Sequence, residues 1–340
     1  MTPSRPGIAR AASRTREALG RPAGALAALC CCAWLAVAFA PGASAAVLTA
    51  APYEYMGWGS PQPPDEVLSA TGLHDLTLAF VLSHKRCNPE WDGERPLLGG
   101  TDQLAIEQIR AAGGDVAVSF GGWSGRKLGT VCRTPAQLAG AYQTVIGAYA
   151  LKSIDIDIEH AELSSAKTRT KVAQALAIVQ AQDPGLEISI TMPTGPAGPQ
   201  RSEQSLIADA AAAGLHPSAW TVMPFDFGVA ESNMGRTSIE AVEGLANDLQ
   251  AAYGVSQAEA LHHAGISSMN GHTDEADESV SGEDFATMLA FAREKHLARL
   301  TFWSVNRDRE CAGATQGEDE CSGVSQAPYA YSDLIAQYSG

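Results

Sequence analysis

The stretch "SIDIDIE" at residues 153–159 alternates isoleucine with acid: Ile154, Ile156 and Ile158 fall between Asp155, Asp157 and Glu159. Successive side chains of an extended chain point to opposite faces, so the isoleucines share one face and the carboxyl groups the other. Strands of a parallel sheet are usually apolar on both faces. One apolar and one acidic face suit the wall of a barrel, with the isoleucines toward outer helices and the acids toward the interior. Neighbouring carboxylates would stand about 6–7 Å apart along the strand. They repel and are poorly solvated there, so at least one should keep its proton at neutral pH. Glu159 comes last, at the C-terminal strand end where barrel enzymes place their chemistry. A carboxyl group held protonated at that mouth is a general acid. A solvent-facing strand would more often mix Thr, Lys and Asp than stack three acids. A Ca2+ or Mg2+ site would gather ligands from loops rich in Gly or Asn, and this run has neither.

Seven further β-rich runs flank this one, at 53–59, 76–83, 115–122, 187–194, 220–228, 264–269 and 299–305. Amphipathic stretches at 102–112, 135–149, 167–182, 202–214, 237–252, 282–296 and 328–338 read as helices between and after them. Alternating β and α elements imply a parallel sheet. Eight repeats match an α/β fold of the (β/α)8 TIM-barrel type better than an open doubly wound sheet, and no G-x-G-x-x-G follows the first strand. No repeat, low-complexity tract or interdomain linker breaks the chain, which reads as a single domain. The polar loop at 270–283 is expected over the barrel mouth.

Ahead of the first strand lie five arginines (Arg5, Arg10, Arg14, Arg16 and Arg21), an apolar run, and Ala43-Ser44-Ala45. A basic lead, an apolar core and a small-x-small site read as a signal peptide over 1–45, leaving a catalytic domain at 46–340. No later run is long and apolar enough for an anchor, and Cys30, Cys31 and Cys32 do not follow a lipobox-like pattern. The formal charge of −15 for the whole chain becomes −19 once the leader, with five Arg and one Glu, is removed. That acid excess opposes nucleic acid and anionic membrane, both polyanions. Four cysteines then remain, Cys87, Cys132, Cys311 and Cys321. An even count in an exported chain suggests two disulfides, with three pairings open. Cys87–Cys132 and Cys311–Cys321 are expected, because each pair lies in one loop or in two adjacent ones. Zinc is disfavoured: no C-x-x-C occurs and the histidines are scattered.

The residues also carry a resemblance. "IDIDIE" (154–159) resembles the D-x-D-x-E end of the fourth-strand signature of glycoside hydrolase family 18, the chitinases. "SFGG" (119–122) resembles the family's S-x-G-G on strand three, "VMPFDFG" (222–228) its M-x-[Y/M]-D on strand six, and "FWSVNRDREC" (302–311) its strand-eight segment. The likeness spans about Tyr53 to Cys311 and is nearest in style to secreted, actinobacterial-type single-domain members. It implies substrate-assisted retaining hydrolysis of β-1,4 bonds between N-acetylglucosamine units, an exception to the two-carboxylate scheme. Glu159 would be the acid, and Asp157 would orient the substrate acetamido group. Asp155 would share a proton with Asp157. Asp226, with Met223 and Phe225 of the same motif, would help bind the sugar. Trp303 would floor the pocket, and Gly121 and Gly122 would let the backbone pass close beside it.

The chain departs from the family pattern at Phe225, where many members carry a Tyr whose hydroxyl holds the acetamido oxygen; the loss removes about 1–2 kcal/mol of hydrogen bonding. His160 should face away from the acids by alternation. Trp123 could be a sugar platform or a loop tryptophan packed on the barrel, and Trp91 reads as the latter. Of Tyr53 and Tyr55, periodicity does not say which points inward. Arg307 and Asp308 read as a structural pair. "GGWSG" lacks the spacing of a nucleophile elbow. The resemblance implies no cofactor or metal, a partner that is an N-acetylglucosamine-containing polysaccharide or oligosaccharide, and a monomer. Two other functions share the fold: a non-catalytic lectin for chitooligosaccharides, disfavoured because Glu159 is kept, and an endo-β-N-acetylglucosaminidase on glycoprotein glycans.

Overall fold

β-Branched runs flanked by Pro, Gly and Asp become strands in the computed structural model, which describes residues 48–228, 233–313 and 319–340. The leader expected at 1–45 lies outside the described residues. The strands are β1 (Tyr53–Tyr55), β2 (Asp75–His84), β3 (Asn88–Trp91), β4 (Asp115–Gly121), β5 (Ser153–Asp157) and β6 (Glu187–Pro193). They continue with β7 (Ala219–Met223), β8 (Ala264–Met269), β9 (Gly271–His272), β10 (Ser279–Val280) and β11 (Arg299–Trp303). The helices are α1 (Pro64–Thr71), α2 (Thr101–Ala111), α3 (Leu128–Val131), α4 (Pro135–Tyr149), α5 (His160–Ser164) and α6 (Ala166–Gln182). They continue with α7 (Arg201–Ala212), α8 (Met234–Tyr253), α9 (Gln257–Leu261), α10 (Gly282–Lys295) and α11 (Ala330–Ile335).

Eight strands run parallel in the order β1-β2-β4-β5-β6-β7-β8-β11, and β3 adds to β2 antiparallel. The chain is a (β/α)8 TIM barrel, as the alternation of elements predicts. Near its seam the barrel is held by isolated bonds in place of a full ladder. The Leu300 amide donates to the Thr49 carbonyl at 2.8 Å, and the Thr301 hydroxyl to that of Ala51 at 2.8 Å.

Period-two alternation sorts the residues. Leu76, Leu78, Val116, Val118, Ile154, Ile156, Ile188, Ile190, Val222, Ile266, Leu300 and Phe302 join the apolar layer shared with the helices. The opposite face carries Thr77, Ser119, Asp155, Thr191, Thr221, Ser267, Arg299 and Thr301, all buried. The interior of this barrel is therefore polar, and its stability comes chiefly from the layer outside the sheet.

Helix ends are set by local chemistry. Thr134 caps α4 by accepting from the Gln137 amide, with Pro135 opening the first turn. Ser281 and Asp284 form a reciprocal capping box at α10. Three short strands escape a periodicity search: β3, and the pair β9–β10, which pairs Gly271 with Val280 and His272 with Ser279 inside the polar loop at 270–283. The disulfides join Cys87 to Cys132 and Cys311 to Cys321. Among the described residues no helix is long and apolar enough to cross a membrane.

Candidate active site

The acid ladder occupies β5 and its extension. Ser119 pairs with Asp155 and Gly121 with Asp157 across the β4–β5 register. The strand ends at Asp157, but Ile158 donates to the Thr191 carbonyl at 2.9 Å and Glu159 is still extended (φ −132°, ψ 171°), so alternation carries through Glu159. At His160 φ turns to +48° and α5 begins. His160 is thus a helix-start residue with its ring edge against Trp123 at 3.8 Å, and strand alternation does not reach it.

Asp155 is the deepest of the three. Its Oδ2 accepts from Tyr53 Oη at 2.9 Å and Ser119 Oγ at 2.6 Å, while Oδ1 accepts from Thr191 Oγ1 and Arg299 Nη1, both at 2.7 Å. Four donors fill about the four lone-pair positions of a carboxylate. Arg299, absent from the site as read in sequence, also donates to Thr77 Oγ1 at 2.7 Å. Its signal was present, since Arg299, Thr301 and Trp303 alternate along one strand.

Asp157 is in the opposite condition. Its Oδ1 is buried with no hydrogen-bond partner. Burial first, then the charges of Glu159 and Asp155, push its carboxyl well above the usual range. Glu159 is buried as well, and its pKa rises from 4.5 to about 7. Burial is the main cause. The ammonium of Lys127 opposes it, and the charges of Asp226 and Asp274 add to it.

Around the acids lies an aromatic cluster. Tyr53, Tyr55 and Ala79 form a small buried group on which Phe80 and Trp303 pack, so both tyrosines point inward. Trp303 and Phe80 stack at 5.5 Å with 13° between ring planes, and Tyr53 lies 6.1 Å from Trp303. The Ala79–Phe80 and Trp303–Ser304 peptide bonds are cis. Tyr55 meets the exposed Trp58 at 4.0 Å, so a row of rings runs from this floor to the surface. Trp123 is 66% exposed.

Asp226, after β7, has φ +54° and donates its amide to Glu278 Oε1 at 2.6 Å; its Oδ1 accepts from the Asp274 amide at 3.0 Å. Burial and Asp274 raise its pKa from 3.8 to about 6. The loop expected over the mouth thus contributes Asp274 and Glu278, which no strand or helix pattern singled out. Met223 pairs with Pro193 at the end of β7. Phe225 packs on the main apolar core instead of on the Tyr53–Tyr55 group.

Gly121 has φ +114°, and a Cβ there would stand 2.0 Å from the Asp157 carbonyl oxygen; at Gly122, with φ +78°, one would meet the Phe80 ring. Trp91 is buried and donates to Tyr149 Oη at 2.9 Å, a packing role as read. Arg307 and Asp308 are structural, but they turn to different partners: Arg307 to the Asn270 and His272 carbonyls, Asp308 to the amides of Tyr331 and Ser332. Among the described residues no three His, Cys, Asp or Glu are grouped to hold a metal ion.

No family model matches the chain. The catalytic domain of a hyperthermophilic chitinase from Pyrococcus furiosus is 30% identical, with a TM-score of 0.76 over 85% of this chain and 96% of that one. The chain belongs to the family 18 chitinases. That Pyrococcus domain has also been solved as catalytic site mutants complexed with chito-oligosaccharides. A probable bifunctional chitinase/lysozyme of Escherichia coli is 29% identical over 291 residues, 78% of this chain and 32% of that protein. Endochitinase 11 of Metarhizium anisopliae is 28% identical over 256 residues, 71% of this chain and 48% of that protein. This family member therefore spans a third to a half of the length of these curated relatives.

Proposed function

We propose that this chain is an exported, single-domain glycoside hydrolase that cleaves β-1,4 bonds between N-acetylglucosamine units of chitin or chitooligosaccharides. Residues 1–45 serve as its leader and 46–340 as its catalytic domain, acting extracellularly as a monomer. The observation that carries the reading is the orphaned Asp157 Oδ1, buried beside Glu159 in the barrel mouth. A buried acceptor without a donor costs about 1–3 kcal/mol. The N–H of a 2-acetamido group supplies that donor, and few other sugars carry one.

With that group held, Glu159 gives its proton to the glycosidic oxygen as the C1–O bond breaks. The acetamido carbonyl oxygen bonds to C1 from the opposite face, giving an oxazolinium ion whose positive charge Asp157 offsets. Water then bonds to C1 as the bond from C1 to the acetamido oxygen breaks; the Glu159 carboxylate takes a proton of that water, the 2-acetamido group is restored, and the anomeric configuration is retained. Trp303 packs against the C–H face of the sugar, while Asp226 and Met223 border it from β7. Asp155 holds the ladder in place beneath.

Incubation with chitohexaose is expected to yield N,N′-diacetylchitobiose, read by product mass, while a high-mannose glycopeptide stays whole. Glycan release with untouched chitohexaose would instead mark an endo-β-N-acetylglucosaminidase, and binding without product a lectin. Turnover needs protonated Glu159, so the rate should fall as pH rises through about 7.

Gly121→Ala tests the close approach of β4 to Asp157. A left-handed backbone and a blocked Cβ should shift the Asp157 carbonyl, lowering kcat on the order of tenfold. Stability should fall by about 1–3 kcal/mol. Steady-state kinetics beside thermal melts would check both, and unchanged kinetics would contradict the geometry.

A further inference from the structure

Residues 270–280, which leave β8 and include the hairpin β9–β10, bond to both sides of the candidate site. At their start the Asn270 amide donates to the Trp303 carbonyl at 3.1 Å, and Asn270 Oδ1 accepts from the Ser304 amide at 3.0 Å. Toward their end lies Glu278, which reaches the segment after β7. The hairpin between is tied down. The His272 amide donates to the Ser322 carbonyl at 2.8 Å, the Thr273 amide to the Glu278 carbonyl at 3.2 Å, and Tyr331 Oη to the Val280 carbonyl at 3.0 Å.

Glu278 is 4% exposed, and both of its carboxylate oxygens are turned to backbone. Oε1 accepts from the Asp226 amide at 2.6 Å and Oε2 from the Phe227 amide at 3.2 Å. Successive amides in a turn make a concavity that suits an anion, and bonds to a charged acceptor are the stronger ones. Asp226 itself sits at φ +54°. A residue with a Cβ adopts that region only where its surroundings hold it there. The carboxyl of Asp226 is held from the same hairpin: its Oδ1 accepts from the Asp274 amide at 3.0 Å, and the Thr273 hydroxyl bonds to it as well. One element thus grips Asp226 by backbone and by side chain.

We infer that Glu278 and Thr273 are positioning residues that fix the Asp226 carboxyl against the bound sugar. The same hairpin fixes the backbone of Trp303 through Asn270, so one element sets the spacing between the floor of the pocket and its β7 wall. Neither Glu278 nor Thr273 touches the reacting bond. A carboxyl group already held in its binding geometry loses little freedom when the sugar arrives, and that gain appears as affinity. The inference rests on the reading of Asp226 as a sugar-binding residue.

The test is steady-state hydrolysis of chitohexaose by the full chain, with kcat and KM read separately and melting temperatures taken beside them. Glu278→Gln keeps the size of the side chain but turns a donor toward one of the two amides. It should raise KM about tenfold and lower kcat less, about twofold. A merely structural part would lower the melting temperature and the active fraction, which reads as a fall in apparent kcat and leaves KM in place. In an Asp226→Ala background, Glu278→Gln should add nothing to KM, because the side chain it positions is gone. An unmoved KM in Glu278→Gln, or a KM effect that adds in full to that of Asp226→Ala, would overturn the inference. Should Glu278→Gln not fold, Thr273→Val decides. It removes one bond to the Asp226 carboxyl and should raise KM about threefold; an unmoved KM there overturns the inference equally. Asp226→Ala alone is the control: a wild-type KM ends the reading of Asp226 as sugar-binding, whereas a raised KM there with no change in the hairpin variants ends only this inference.

Discussion

Glu159→Gln is expected to abolish release of N,N′-diacetylchitobiose from chitohexaose, with a rate loss of at least about 10³-fold. Glutamine keeps the shape of the side chain but cannot give up a proton to a leaving sugar. Folding should survive, because the change removes a buried ionisable group without opening a cavity. The sign of the stability effect depends on pH. The native state holds its proton on Glu159 up to about 7, against an ordinary 4.5, so the wild type loses stability as pH rises between those values. The variant lacks that loss, and its melting temperature should gain on wild type between pH 5 and pH 8. Undiminished hydrolysis by a folded variant would remove Glu159 from the mechanism.

Arg299→Met should have the largest effect on stability. Arg299 is 1% exposed and its ion pair with Asp155 spans 2.7 Å inside the barrel. Replacing it leaves a buried carboxylate with hydroxyl donors alone, and breaking such a pair from one side costs about 3–5 kcal/mol. The melting temperature should drop on the order of 10 °C. Asp155→Asn together with Arg299→Met should recover part of the loss, since the stranded charge goes with its partner. A single Arg299→Met variant as stable as wild type would show that Asp155 does not depend on the pair.

Much of the frame was readable in one dimension. The alternation in "SIDIDIE" fixed which residues of β5 share a face, because a strand has only two faces and a period of two. Strands and long helices were legible for the same reason: each extends over enough residues for its period to repeat. The short β3, β9 and β10 were not, since two to four residues cannot display a period. At His160 the backbone turns out of the strand, so alternation stops being a guide to that side chain there.

The site was half legible. Asp157, Glu159 and Trp303 sit where their strands' periods put them, and the chain alone determined that three acids line one side of one strand. It could not determine what stands opposite. Arg299 reaches Asp155 from 144 residues away, because closure of the barrel brings distant strands onto a shared axis. Whether a carboxyl group is an anchored anion or a proton donor depends on that company, through burial and neighbouring charge. Three similar acids in sequence thus become, in the folded chain, one filled with donors, one left without a partner, and one raised to about 7.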